Sequence, residues 1–207
     1  MVIRTIFFDY DGVLTTDKSG SLTTFRYLSK ASGIALSTLN AAFGPYAGEL
    51  LMGRASYSQV WDRVCEAMGE SLDIGLLVEA FESTPLNTGM LSLARRLRDA
   101  HAVGIITDND SDRMGHLRKY QGLDALFRPI VVSADVGGSK RGQDIFRYAA
   151  CSAGAAPDEC IFIDNSRDNV AMALTLGMHA VFHDDERNDI DVLVNALQQR
   201  GARVGGN

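Results

Sequence analysis

The sequence predicts a doubly wound α/β fold with a parallel sheet, carrying an α-helical insertion after its first strand. Three observations predict it. Short, almost wholly apolar runs recur at residues 2–8, 103–106, 130–132, 161–163 and 180–182, as strands covered on both faces require. Helix-period patterns alternate with these runs from residue 88 onward, the order that builds a parallel sheet with helices on both sides. Residues 17–87 break the alternation, because their apolar positions recur at helical spacing only. The expected organisation is an α/β core of residues 1–16 and 88–207, with 17–87 inserted as a separate helical unit.

Each element has its own justification. The first strand, Val2 to Phe8, ends at Asp9, Asp11 and Gly12. In the insertion, Leu22, Phe25 and Leu28 share a face, then Leu36, Leu39 and Phe43, then Val60, Val64 and Met68. Ser56-Tyr57-Ser58-Gln59 fits a capping box before the third of these helices. Gly33, Gly44-Pro45 and Gly69 punctuate the insertion and Pro85 closes it. Phe25, Tyr57 and Trp61 read as packing residues of its own core rather than as substrate contacts. Further on, Leu91, Ala94 and Leu97 share a helical face, as do Met114, Leu117 and Tyr120, and Ile145, Phe146 and Ala149. A helix from Asn169 to Leu176 stops at Gly177, and residues 191–199 form the last. The tail from Gly201 to Asn207 is expected to fray.

Composition narrows the partners. The 207 residues are 46% hydrophobic and 22% charged, with a formal net charge of −6. An acidic chain argues against nucleic acid or anionic membrane as the main partner. No apolar run approaches the roughly 18 residues of a membrane span. Cys65, Cys151 and Cys160 lack metal-ligand spacing and read as reduced, buried thiols of a cytoplasmic protein. The four histidines show no ligand spacing and read as structural.

Four polar stations stand at the carboxyl ends of expected strands: Asp9 with Asp11, Thr107-Asp108-Asn109, Lys140, and Asp164-Asn165. Ligands of open α/β sheets bind outside those ends, so stations scattered in sequence can converge on one pocket. Two carboxylates two residues apart on extended chain point the same way. One can act as nucleophile and the other as acid and base. A carboxylate attacking a phosphate meets like-charge repulsion, which Mg²⁺ held by oxygen ligands would relieve. Lys140 adds a positive charge, Thr107 a hydroxyl donor, and Gly12 a backbone able to approach an oxyanion closely. Asp168 and Asn169 suit either a metal shell or a helix start.

Asp9-Tyr10-Asp11-Gly12-Val13-Leu14-Thr15 resembles the first motif of the haloacid dehalogenase-like (HAD) hydrolase superfamily. Thr107, Lys140 and Asp164-Asn165 stand where its second, third and fourth motifs belong, and the resemblance covers nearly the whole chain. It implies a Rossmann-like core with residues 17–87 as an α-helical cap. By the same resemblance Asp9 is the nucleophile and Asp11 the general acid and base. Gly12, Thr107, Asp108 and Lys140 would hold the phosphoryl group. Mg²⁺ would be held by the Asp9 side chain, the Asp11 backbone carbonyl and the Asp164-Asn165 motif. The implied activity is hydrolysis of a small phosphorylated metabolite through an aspartyl-phosphate. The alternatives are a phosphoryl-transferring mutase and a regulatory protein on a weakened catalytic fold. A dehalogenase is disfavoured by Asp11. Three departures stand out: Asp108 where Asn is common, which would turn outward from an anionic site; Lys140-Arg141 where Lys-Pro is usual; and Asn165 in place of a second acid.

Overall fold

The computed structural model describes residues 2–206. Among these, five strands form one sheet: β1 (Thr5–Phe8), β2 (Ala102–Thr107), β3 (Ile130–Val132), β4 (Cys160–Asp164) and β5 (His179–Phe182). Their order is β3-β2-β1-β4-β5 and every pairing is parallel. The chain winds outward from β1 to β3, then returns to the other side of β1 for β4 and β5. The topological switch therefore lies between β1 and β4, whose carboxyl ends carry Asp9 and Asp164-Asn165.

β1 is buried along its whole length because helices cover both faces. One core holds Ile6, Phe8, Leu93, Leu97, Ile105 and Ile163. The other holds Phe7, Ile106, Phe146, Ala149 and Phe162. Consecutive residues of one strand go to opposite cores, as the pleat dictates.

The insertion between β1 and α6 (Thr88–Arg98) carries five α-helices: α1 (Ser21–Ser32), α2 (Leu36–Phe43), α3 (Ala47–Leu51), α4 (Tyr57–Met68) and α5 (Gly75–Glu82). The expected capping interaction is present, with Ser56 N donating to Gln59 Oε1 at 2.9 Å. Leu28, Leu39, Phe43, Val60, Val64 and Met68 are buried as the spacing predicted, whereas Leu22 and Leu36, in the first turns of α1 and α2, are exposed. The two chain crossings of this insertion run side by side. Thr15 bridges Leu86, Thr16 N donates to Pro85 O at 3.0 Å, and Asn87 N donates to Leu14 O at 2.9 Å. The remaining helices are α6 (Thr88–Arg98), α7 (Ser111–Tyr120), α8 (Ser133–Val136), α9 (Asp144–Ser152), α10 (Arg167–Thr175) and α11 (Ile190–Gln199).

Some expectations are corrected. The tail is held in place as far as Gly205 rather than fraying. Ala202 is buried, Arg203 N donates to the His101 ring at 2.8 Å, and Arg96 Nε donates to Gly205 O at 2.9 Å. Asn207 lies outside the described residues. Tyr120 and Cys151 are exposed rather than buried. Each sits on the outer side of a helix whose other face already fills the core. Among the described residues, no helix is long and apolar enough to cross a membrane.

Candidate active site

β1 delivers its chain into a tight turn. Asp9 remains extended, and Gly12 takes φ +75°, where a side chain would collide with that of Asn165. Thr15 N closes the turn onto Tyr10 O at 3.0 Å, and Gly12 N donates to Thr15 Oγ1 at 3.2 Å. The turn places Asp9 and Asp11 on the wall of one cavity, together with Thr107, Asp108, Lys140, Asn165, Ser166 and Asn169. All four stations meet there.

Two ion-pair groups organise it. Lys140 Nζ lies 2.7 Å from Asp9 Oδ2 and 2.8 Å from Asp164 Oδ2, and all three side chains are buried. The loop carrying Lys140 is pinned from below, its backbone N–H donating to Asp108 Oδ1 at 2.8 Å. Asp108 is therefore half-buried and faces the cavity rather than turning outward. Asp164 is fully buried and committed. Its Oδ1 accepts from Ser166 N at 2.6 Å, and Asn169 Nδ2 donates to both of its oxygens at 3.2 and 3.1 Å. Asn165, not Asp164, thus reaches the cavity. Asn169 braces Asp164, whereas Asp168 is exposed on the first turn of α10.

The second group is Asp11 with Arg113. Arg113 Nη1 and Nη2 meet the two Asp11 oxygens at 2.9 Å each, a bidentate pair. Asn109 Nδ2 adds a third donor to Asp11 at 2.8 Å, and its own Oδ1 accepts from Arg113 Nη1 at 3.0 Å. Thr84 Oγ1 accepts from Nη2 at 3.3 Å. Gly20, at φ +68°, lies flat over the pair, and a Cβ there would stand 2.5 Å from Asp11 Oδ2.

Electrostatics follow from burial. Desolvation pushes the Asp9 carboxyl well above the ordinary carboxylate range, with Lys140 opposing the rise and Asp164 adding to it. Desolvation acts to lower the Lys140 ammonium, but Asp9 and Asp164 outweigh it and hold the group above its usual value. Three cations, the buried Lys140 and Arg113 and the exposed Lys18 at the cavity rim, face four carboxylates: Asp9, Asp11, Asp108 and Asp164. An incoming phosphate would meet excess negative charge, and a divalent cation on the oxygen donors would balance it. Asp9, the Asp11 carbonyl and the Asn165 amide offer the hard oxygen donors that Mg²⁺ takes alongside water and phosphate.

The sequence matches the haloacid dehalogenase-like hydrolase family over residues 3–177. The chain belongs to that family. As a HAD hydrolase it has relatives at low identity. It is 27% identical over 201 residues to bifunctional epoxide hydrolase 2 of Rattus norvegicus, a match covering 86% of this chain and 36% of that protein. The chain thus spans little more than a third of that relative's length. A HAD family enzyme of Bacteroides thetaiotaomicron, solved as a magnesium complex, has a TM-score of 0.76 at 20% identity, covering 93% of this chain and 99% of that one. The same enzyme with magnesium and inorganic phosphate gives 0.71 at 21%, covering 92% and 98%. A HAD phosphatase of Thermococcus onnurineus gives 0.61 at 24%, covering 88% and 86%.

The HAD motifs located the pocket, but Arg113 and Gly20 escaped the sequence reading. Arg113 did leave one signal. A cation in the first turn of a helix opposes the macrodipole, so an arginine three residues after the Asp110 cap needs an anionic partner elsewhere. The insertion's aromatics divide otherwise than expected. Trp61 is a core residue whose Nε1 donates to Leu72 O at 2.8 Å. Phe25 and Tyr57 face a second cavity, which adjoins the first.

Proposed function

We propose that this HAD hydrolase is a Mg²⁺-dependent phosphatase of small phosphorylated molecules, working through an aspartyl-phosphate on Asp9. The observation that supports this best is Lys140 bridging Asp9 and Asp164 beside the Thr107 hydroxyl. That is a cationic, hydrogen-bonding seat for a phosphoryl group next to a carboxylate. The Mg²⁺ and phosphate complexes of the Bacteroides thetaiotaomicron enzyme agree with it in fold.

In this reading Asp9 Oδ attacks phosphorus and the ester oxygen departs. Lys140 and Thr107 hold the phosphoryl oxygens in line. Asp11 gives the departing oxygen its proton. Water then attacks phosphorus, surrenders a proton to Asp11, and releases phosphate and the Asp9 carboxylate. Three donors occupy Asp11, and a carboxylate has about four lone-pair sites, so one position stays open for the travelling proton. Asp9, the Asp11 carbonyl and Asn165 would hold Mg²⁺, which supplies charge neutralisation between the carboxylates and the phosphate. The helical insertion, about residues 17–87, would act as the cap that selects the substrate and excludes water.

The test is turnover of a generic aryl phosphate with and without Mg²⁺, compared with Asp9→Asn. The amide is nearly isosteric and not nucleophilic, so the variant should stay folded and lose turnover. Full activity in a clean Asp9→Asn preparation would falsify the mechanism.

A further inference from the structure

The second cavity measures about 330 Å³, the low end of small-molecule sites, which run about 300–1,000 Å³. It lies between the sheet's carboxyl edge and the helical insertion, and shares Asp11, Ser19 and Asp108 with the cavity that holds Asp9. A group attached to a phosphate beside Asp9 would enter it.

One wall is aromatic. Phe25, Phe43, Tyr57 and Phe81 form a continuous row from three different insertion helices and the α4 start, with successive ring centroids 5.0, 6.1 and 5.7 Å apart. Phe43 and Phe81 are nearly fully buried behind it. The charged groups on the opposite wall already have partners. Arg113 is matched by both oxygens of Asp11. Asp110 accepts from Arg113 N at 2.7 Å and from the Tyr57 hydroxyl at 3.4 Å. Asp108 accepts from Lys140 N. Among the described residues lining this cavity no cation is left over for a second phosphate or a carboxylate, and three carboxylates would repel one. Asp108 and Asp110 are met by backbone N–H groups and the Tyr57 hydroxyl and not by a side-chain cation, so this wall is net negative.

We infer that the preferred substrates are monoesters of compact aryl or apolar alcohols without a second anionic group, whose organic part lies against the Phe25–Phe43–Tyr57–Phe81 wall. This rests on the phosphatase reading and deepens it. It separates this chain from hydrolases of sugar bisphosphates and phosphorylated organic acids. In such substrates the second negative charge would face Asp108 and Asp110 without a free cation beside it, a like-charge mismatch that disfavours the wrong partner.

Phosphonates test it without turnover, because their C–P bond is not cleaved. Binding of benzylphosphonate and para-carboxybenzylphosphonate would be measured by calorimetry with the full chain and Mg²⁺. Benzylphosphonate should bind about tenfold or more tightly than the carboxylated analogue, with the negative heat-capacity change of apolar burial. Ala47→Arg tests the location. Ala47 lines the cavity and is exposed at the start of α3, so the variant should fold. It should tighten the carboxylated analogue several-fold and leave benzylphosphonate within about twofold. Equal or tighter binding of the carboxylated analogue overturns the inference, as does failure of benzylphosphonate to bind or an unmoved preference in Ala47→Arg. Selective binding by a protein that hydrolyses no phosphate ester would instead sink the phosphatase reading.

Discussion

Arg113 grips Asp11 with both guanidinium nitrogens at 2.9 Å, and both side chains are nearly sealed from solvent. The residue proposed as acid and base is therefore held from α7, an element of the core, with Gly20 from the insertion closing over the pair. Arg113 Nε is buried with no hydrogen-bond partner among the described residues, so this guanidinium is held by its Nη atoms.

Breaking that pair from one side should be costly. Removing one partner of a buried ion pair typically destabilises by about 3–5 kcal/mol, because the other charge stays behind. Arg113→Met should fall in that range in urea unfolding, and Arg113→Met combined with Asp11→Asn should recover most of the loss. A single-variant cost below about 1 kcal/mol would show that the pair is not formed.

Asp11→Asn alone separates acid from base. General acid–base groups typically contribute about 10²–10⁴-fold. The variant should slow an alkyl phosphate by that order and slow an ester with a good leaving group much less. The check is a leaving-group series of kcat/KM in both proteins. A uniform loss across the series counts against the acid role.

Asn165 stands at the cavity wall where Asp164 does not. It supplies an oxygen without a charge, and ligand charge is one of the terms that tune hard-cation affinity. Asn165→Asp should lower the Mg²⁺ needed for half-maximal turnover at saturating substrate. An unchanged or higher requirement removes position 165 from the proposed metal shell.

Asp110 caps α7 and is pushed from 3.8 up to about 6 by burial, with its hydrogen bond from the Arg113 backbone opposing the rise. The folded state thus holds this proton more tightly than the unfolded chain. The resulting stability is fully present below about pH 4 and is lost as pH rises through about 6. Asp110→Asn keeps a competent cap and removes the titration. Thermal melts of both proteins from pH 4 to 8 should show wild-type stability falling relative to the variant up to about pH 6–7, then running parallel. A pH-independent difference would place the carboxyl in its ordinary range.

The sheet was legible because its strands are buried on both faces. Phe7 and Phe8 can both be apolar only if opposite sides of β1 are covered, and that pattern appears in the sequence before any contact is known. Asp9, Thr107, Lys140 and Asp164 were legible because chain direction in a parallel sheet puts each strand's end at the same edge. The helical character of residues 17–87 was legible from spacing alone.

What spacing could not assign is direction in space. A helix period says that Phe25 and Tyr57 lie on apolar faces, not whether those faces meet another helix or a cavity. The same limit hid Arg113, whose partner Asp11 is 102 positions away and is brought to it only by the pairing of β1 with β2 and the docking of α7. It also left open which member of Asp164-Asn165 faces the cavity, since adjacent residues diverge and the choice depends on Lys140 and Asn169 claiming Asp164. Periodic burial and strand-end chemistry are local properties that the sequence by itself determined. The pairing of buried charges and the shape of the substrate cavity depend on contacts between elements far apart in the chain, and only the tertiary structure decided them.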